Sequence, residues 1–175
     1  MQRIVISASR RTDIPAFYMP WFMQQINQGF FDVHHPFGRS SVRVPATADQ
    51  VHTVVFWSKN FGPFLEDGYG QRLLENGYHL FFNFTINSAH AILEPAVPPT
   101  EARIAQLARL VDLHGPEAIQ WRFDPICYYK ESSGKEANNL DELPLIARRA
   151  AALGIRTCIT SFVDLYRKVQ RRSAH

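Results

Sequence analysis

Polar and charged residues follow each of five apolar stretches in this sequence, and several of them carry groups that bind anions. The segments that follow the apolar stretches are residues 7–13, 57–60, 83–87, 121–124 and 160–164. Guanidinium and ammonium groups hold phosphates and carboxylates through charge-assisted hydrogen bonds, and neighbouring acids orient them. The candidate binding residues in these segments are Ser9, Arg10, Arg11, Asp13, Lys59, Asn60, Arg122, Asp124, Ser161 and Asp164.

The first segment combines two arginines with an acid. Arg10 and Arg11 offer two guanidinium groups, and Asp13 is close enough in sequence to orient one of them. Because the two arginines are adjacent, they cannot both point inward toward a ligand. Asp13 also has a structural interpretation, since it stands just before Pro15 and aspartate is a favoured cap at the start of a helix.

Two further segments place a cation at the end of an apolar stretch. If Lys59 belongs to a site, it is expected to bind an anion or to act as a base with a lowered pKa. The structural alternative is that its side chain extends from the apolar surface into water. Asn60 either belongs to the site or caps the helix that follows it. Arg122 and Asp124 are two residues apart and therefore share one face of a strand. They either form a structural ion pair with each other or bind other charged groups of the site, such as Asp13.

The common catalytic and metal-binding motifs are missing from the sequence. The seven histidines have no metal-ligand spacing, and the sequence contains no glycine-rich phosphate loop and no Gly-x-Ser-x-Gly motif. Cys127 and Cys158 suggest neither a disulfide framework nor a zinc site, which is typical of a reducing cytoplasm. We therefore expect a cytoplasmic protein with no metal site and no membrane span.

The net charge of +3 reflects the C-terminal end of the sequence. Residues 165–175 contain four basic residues and no acid, whereas the rest of the chain has about as many acids as bases. A chain whose main part is nearly neutral does not favour a nucleic-acid groove. We expect a small anionic ligand instead.

Strands and helices are predicted to alternate along the chain. Apolar runs rich in β-branched and aromatic residues predict buried strands at residues 3–7, 53–57, 79–86, 118–123 and 157–162. Apolar residues at three-and-four spacing, each series followed by glycine, predict helices at residues 17–28, 61–75, 100–114 and 140–153, the second of them interrupted near Gly68 and Gly70. Residues 32–47 are predicted to form a loop with at most one short strand, and residues 128–139 a mobile lid.

This alternation predicts a single α/β domain over residues 1–175. The favoured fold is a parallel-stranded (β/α) barrel, partial or truncated relative to the eight-stranded TIM barrel. A small open doubly wound sheet is the alternative, because it buries the same strands under the same helices. Both folds bind ligands beyond the carboxyl ends of their strands, so the polar segments are expected to meet at one rim. Open sheet edges also predict self-association.

Six motifs form a set that runs along most of the chain: Ser7-Ala-Ser-Arg-Arg-Thr-Asp-Ile-Pro-Ala-Phe-Tyr18, Trp21-Phe-Met23, Val55-Phe-Trp-Ser-Lys-Asn60, Phe82-Asn-Phe-Thr85, Trp121-Arg-Phe-Asp-Pro-Ile126 and Cys158-Ile-Thr-Ser-Phe-Val-Asp164. This set resembles the bacterial domain of unknown function 1848. The resemblance implies a barrel similar to that of radical S-adenosylmethionine proteins. In full-length members of the resembled family, a cysteine cluster like the iron–sulfur site of those enzymes lies near the C-terminus. The resemblance also implies substrate or cofactor binding by the ten candidate residues.

The present sequence departs from that pattern, because it contains no Cys-x-x-x-Cys-x-x-Cys motif. The first functional hypothesis is therefore the cluster-less portion of such a barrel, which binds an anionic cofactor or substrate and is an enzyme in full-length form. The second is a non-catalytic anion- or nucleotide-binding module around Arg10, Arg11, Lys59 and Arg122. The third is a protein that binds itself or a partner through its open sheet edges and basic C-terminal segment.

Overall fold

Helices and strands alternate along most of the chain. A computed structural model describes residues 3–9, 11–34, 40–131 and 133–164. In chain order the elements are β1 (Ile4–Ser7), α1 (Ile14–Phe17), α2 (Met19–Gln28), β2 (Phe30–His34), β3 (Ser41–Pro45), β4 (Val51–Ser58), α3 (Gly62–Glu66), α4 (Tyr69–Glu75), β5 (His79–Thr85), α5 (Thr100–His114), β6 (Ile119–Ile126), β7 (Tyr128–Lys130), β8 (Glu136–Asn138), α6 (Leu143–Ala152) and β9 (Cys158–Phe162).

Five strands form one sheet in the order β1-β4-β5-β6-β9, and every pairing in it is parallel. The sheet curls into a half-barrel. Its strand order follows the chain without reversing, whereas a doubly wound sheet reverses its order at a switch point. The α/β class and the parallel sheet are therefore confirmed, and the doubly wound alternative is wrong. The sheet of the described residues has these five strands, whereas a complete TIM barrel has eight.

The side of the sheet that faces the helices is packed with aromatic rings. Phe56 of β4 and Phe82 of β5 are fully buried and both contact Phe64 of α3, with ring centroids 5.3 and 5.5 Å apart. Side chains alternate along a strand, so the residues next to Phe56 in β4 and next to Phe82 in β5 face the opposite side, the concave side of the half-barrel. Trp57 and Asn83 are paired neighbours on that side. The aromatic packing therefore fixes which residues reach the rim.

The predicted helices are present, and two of them are split. Residues 17–28 were expected to form one helix, but α1 ends at Phe17 and Pro20 lies at the start of α2. Residues 61–75 divide at Gly68, whose φ of 65° lies in the left-handed region, into α3 and α4 as anticipated. Among the helices of the described residues, none is both long and apolar enough to cross a membrane.

Two regions that were predicted as loops contain antiparallel hairpins. Within residues 32–47, β2 and β3 pair with Asp32 opposite Arg43, whose side chains form hydrogen bonds of 2.9 and 3.0 Å. Apolar residues alternate along both strands, and this period of two is the strand signal that the loop prediction overlooked. Residues 35–39 lie outside the described residues. Likewise, β7 pairs with β8, so the segment that was expected to form a mobile lid contains a short antiparallel pair of strands.

The two edge strands are more exposed than predicted. Most of the five strands were expected to be buried on both faces, and β4 and β5 largely are. By contrast, the side chain of Val5 in β1 is 59% exposed, and all five residues of β9 are exposed. Each of these strands has a neighbour on one side only within the described sheet. An apolar run predicts a strand but does not tell whether that strand lies at an edge.

Candidate functional site

Asp13 connects the end of β1 to the end of β4. One oxygen of its carboxylate accepts a 3.1 Å hydrogen bond from the Ala16 N–H, and so caps α1. The other oxygen accepts hydrogen bonds from the Ser58 hydroxyl at 2.9 Å and from the Lys59 N–H at 3.1 Å. Burial raises the pKa of Asp13, although these three hydrogen bonds oppose the change. The structural interpretation of Asp13 as a cap is confirmed, and the same carboxylate also holds Lys59 in place.

Ser9 and Arg11 of the first segment do not join Lys59 or Arg122 within the described residues. Ser9 has a φ of 71° and its hydroxyl accepts a hydrogen bond from the Ile14 N–H at 3.3 Å, which shapes the turn into α1. The guanidinium of Arg11 donates to the His34 carbonyl at 2.7 Å and therefore points to the β2–β3 hairpin. Arg10 lies outside the described residues.

Lys59 forms an ion pair with a residue that the sequence analysis did not select. Its Nζ binds Glu94, whose side chain is largely buried. Asn60 has a structural role, because its Oδ1 accepts hydrogen bonds from the Gly62 N–H at 2.9 Å and from Gln106 at 2.8 Å. The prediction that Asn60 caps this helix is wrong, because Phe61 occupies the N-cap position of α3 and Asn60 binds the helix start from one residue earlier. The Lys59 side chain is thus directed by the carboxylate of Glu94.

Arg122 and Asp124 pair with each other on the concave face of β6. The Arg122 NH2 group lies 2.6 Å from Asp124 Oδ2, and the guanidinium carbon lies 4.9 Å from the centre of the Trp57 ring. The other oxygen of Asp124 accepts a hydrogen bond from the Ser161 hydroxyl. Burial acts to raise the pKa of Asp124. The hydrogen bonds from Ser161 and Arg122, with the charges of Arg122 and Lys59, outweigh burial and lower it. Asp124 is therefore a carboxylate at neutral pH.

Asn87 joins the two ion pairs. Its buried side-chain amide accepts a 2.8 Å hydrogen bond from the Asp124 N–H and donates at 3.2 Å to the Asp124 carbonyl. The same NH2 group lies 3.2 Å from Glu94 Oε1, the oxygen that binds Lys59. We call the seven residues connected in this way the rim cluster: Trp57, Lys59, Asn87, Glu94, Arg122, Asp124 and Ser161. Asn87 is the last residue of the polar segment 83–87. Its position in that segment was the sequence feature that could have identified it as a site residue.

A buried arginine supports the rim cluster from behind. Arg103 of α5 is 1% exposed, and its NH2 group donates to the Asn87 carbonyl at 2.8 Å and to Thr100 Oγ1 at 3.3 Å. Its NH1 group lies 4.0 Å from Glu94 Oε2, and burial lowers the pKa of Arg103 while Glu94 acts to raise it. Arg103 precedes Leu107 by four residues, so a cation on the apolar face of a predicted helix was a signal that could have identified it.

A cavity of about 160 Å³ beside the rim cluster is lined by Lys59, Glu94 and Cys127 among others. Burial, with the charge of Glu94, raises the pKa of the Cys127 thiol, and burial likewise raises that of Cys158. These two cysteines are the only ones in the sequence, and they lie on different segments. The described residues contain no group of three His, Cys, Asp or Glu side chains suited to a metal ion. The iron–sulfur cluster that the resemblance implied therefore does not fit the residues present.

The structure thus brings together some of the predicted site residues and separates others. Lys59, Arg122, Asp124 and Ser161 meet in the rim cluster, and Asp13 and Asn60 support it. Asp164 is exposed and has no hydrogen bond or ion pair with another residue of the described chain. The expectation that polar strand ends converge is correct for the three central strands and for β9.

Comparisons with known proteins give one match. No curated protein and no solved structure matches the chain. A family model described as a domain of unknown function (DUF1848) matches residues 5–175, which is nearly the whole chain. The resemblance seen in the six sequence motifs is thereby confirmed, and the chain belongs to the DUF1848 family of domains of unknown function.

Proposed function

We propose that the rim cluster binds a small anionic ligand, a substrate or a cofactor, with Arg122 as the main contact and Lys59 as the second. The observation that carries this proposal is that Asn87 links the ion pairs of both cations, since its amide lies 3.2 Å from Glu94 Oε1 and accepts a 2.8 Å hydrogen bond from the Asp124 N–H. Lys59 directly follows β4 and Arg122 lies on β6, the two neighbours of β5, so the cations flank one position at the carboxyl ends of the strands. In parallel α/β sheets this is where ligands bind.

The ion pairs orient the two cations without using all their donors. A guanidinium has five N–H groups, and in Arg122 the NH2 group binds Asp124. An ammonium has three, and Lys59 uses one to bind Glu94. A phosphate or carboxylate can therefore bind the remaining donors while both ion pairs persist. The stacking of Arg122 on Trp57 holds the plane of the guanidinium and reduces the entropy lost when an anion binds.

The two carboxylates of the rim cluster also select among anions. Asp124 and Glu94 reduce the positive charge that a ligand meets, so a bare anion gains less here than at an unpaired arginine. A ligand with both an anionic group and a hydrogen-bond donor, such as an amino or hydroxyl group, binds cations and carboxylates together. We infer a preference for such ligands.

Isothermal titration calorimetry with inorganic phosphate, ATP and O-phosphoserine tests the proposal. A charge-assisted hydrogen bond contributes about 1.5–3 kcal/mol, so Arg122→Ala is expected to weaken binding roughly 10- to 150-fold. Arg43→Ala is the matched control, because it also removes the arginine of an Arg–Asp pair, but on the β2–β3 hairpin. It is expected to leave binding unchanged.

Two outcomes would overturn the proposal. One is the absence of heat with all three probes for the folded wild-type protein. The other is an equal loss of affinity in Arg122→Ala and Arg43→Ala. Circular dichroism of each variant separates lost binding from lost folding. Arg122→Lys keeps the charge without the planar fork, and we expect it to recover only part of the affinity.

A further inference from the structure

Glu94 lies between two cations, one near the solvent and one buried. Its Oε1 binds the ammonium of Lys59, whose side chain is 38% exposed. Its Oε2 lies 4.0 Å from the NH1 group of Arg103, whose side chain is fully buried. Burial lowers the pKa of Arg103, and the charge of Glu94 opposes that change. The carboxylate is therefore bound to a cation on the rim side and has a second cation behind it.

The groups that face each other across this 4.0 Å gap are buried and unpaired. Among the described residues, Glu94 Oε2 and the Nε and NH1 groups of Arg103 have no hydrogen-bond partner. The NH2 group of Arg103 is already used, since it donates to the Asn87 carbonyl and to Thr100 Oγ1. Buried polar groups are normally paired. Unused donors this close to an unused acceptor indicate that the carboxylate has a second binding position.

Glu142, the other acid whose charge acts on Arg103, is engaged elsewhere. One oxygen of its carboxylate accepts hydrogen bonds of 2.7 Å from the Ala89 N–H and from the Thr100 hydroxyl. By contrast, a shift of Glu94 Oε2 by about 1 Å toward NH1 gives a charge-assisted hydrogen bond of normal length. Glu94 is therefore the carboxylate that can take up the unused donors of Arg103.

We propose that Glu94 moves from Lys59 to Arg103 when an anion binds to the rim cluster. Arg103 is then a positioning residue, which acts on the ligand through Glu94. This inference rests on the proposed function, and it adds the step that makes all three donors of Lys59 available to the ligand. An anion can bind while the ion pair of Lys59 persists, but it then lies next to the negative charge of Glu94.

The buried position of Arg103 makes this movement favourable. A largely buried carboxylate that left Lys59 without finding another cation would be strongly destabilised. Arg103 prevents this loss, because it supplies a cation that does not itself bind the ligand. Lys59 therefore contributes its full share to anion affinity only when Arg103 can hold Glu94, so the effects of substitutions at positions 94 and 103 are expected to be coupled.

Titration calorimetry with inorganic phosphate measures this coupling in the wild type, Arg103→Met, Glu94→Gln and the double variant. Arg103→Met is expected to weaken binding roughly tenfold, because Glu94 then stays on Lys59. Glu94→Gln removes the competing charge and is expected to bind phosphate more tightly than the wild type. With Glu94→Gln present, Arg103→Met is expected to change Kd less than about threefold, since no carboxylate has to be held. Arg109→Ala, an exposed position on the same helix, is the control and is expected to leave Kd unchanged.

The outcomes distinguish this inference from the proposed function. If phosphate binding depends on Arg122, but Arg103→Met weakens it equally with and without the Glu94 carboxylate, then Arg103 has a structural role only. The inference is then refuted and the proposed function stands. Weaker binding by Glu94→Gln than by the wild type also refutes the inference alone. A folded wild-type protein that gives no heat refutes both.

A crystal structure of the wild-type protein with bound phosphate tests the movement without any substitution at Arg103. The distance from Glu94 Oε2 to Arg103 NH1 is expected to decrease from 4.0 Å to about 2.8 Å. Phosphate bound at Arg122 with Glu94 still paired to Lys59 would overturn the proposal, even if the Arg103 variants fail to fold.

Discussion

Replacing Arg103 by alanine is expected to destabilise the fold strongly, although the residue lies on a helix and outside the rim cluster. The guanidinium is 1% exposed, and it donates to the buried end of the β5 segment at the Asn87 carbonyl. Alanine removes that donor together with the one to Thr100. It also leaves Glu94 without its cationic neighbour on α5, and leaves a void in place of the long side chain.

The magnitude follows from these losses. A buried carbonyl that loses its donor costs about 1–3 kcal/mol, and removal of one partner from a buried charged pair costs about 3–5 kcal/mol. We expect a total near 3–5 kcal/mol, because Lys59 still neutralises part of the Glu94 charge. For a chain of this size each kcal/mol lowers Tm by roughly 2–4 °C, so the expected decrease in Tm is roughly 6–20 °C.

Urea unfolding followed by circular dichroism measures the effect, with Arg109→Ala as the matched control. Arg109 lies on the same helix but is exposed, and its replacement is expected to change the free energy of unfolding by no more than about 0.5 kcal/mol. Arg103→Met retains most of the volume and loses the donors, so it is expected to fall between the two. If Arg103→Ala and Arg109→Ala were equally stable, the idea that Arg103 holds the Asn87 segment would be refuted.

Two further predictions concern acid stability and packing. The lowered pKa of Asp124 adds stability that is fully present well above the unfolded pKa of about 3.9. This stability is lost as the pH falls from about that value through the lower pKa of the folded state, so Asp124→Asn should lose less stability than wild type as the pH falls below about 4 in urea titrations. Gly70→Ala would place a Cβ 2.9 Å from His114 Nε2 and 3.1 Å from Phe64 Cε1. It should destabilise α4 by about 1–2 kcal/mol despite the helix preference of alanine, and His114→Ala should relieve the effect in the double variant.

Local patterns in the sequence were sufficient to predict the sheet. The five predicted strands all exist, because uninterrupted apolar runs followed by polar residues are a consequence of burial under helices and of parallel strands that end at one rim. The predicted helix over residues 100–114 matches α5, since its apolar spacing and the final glycine define both ends. The hairpin of β2 and β3 was missed because its alternation is short and lies next to prolines.

The partners of the site residues were harder to predict. Glu94 lies in a segment between β5 and α5 with no helical or strand periodicity, so nothing in the sequence places its carboxylate next to Lys59. The ion pair of Arg122 and Asp124 was predictable because both residues lie on one strand face, two positions apart. Contacts within a strand follow from its period, whereas contacts between a loop and a strand depend on the path of the chain.

Charge balance explains why the charged side chains of the rim cluster can be partly buried at the carboxyl ends of the strands. Lys59 and Arg122 are each matched by a carboxylate, and the amide of Asn87 links the two pairs through Asp124 and Glu94. A partly buried cation without a partner would cost several kcal/mol, so the carboxylates stabilise the cations in the absence of ligand. Under the proposed function the same carboxylates limit the affinity for simple anions. Structural pairing is therefore compatible with the proposed ligand binding, for which we expect ligands that carry a donor as well as a negative charge.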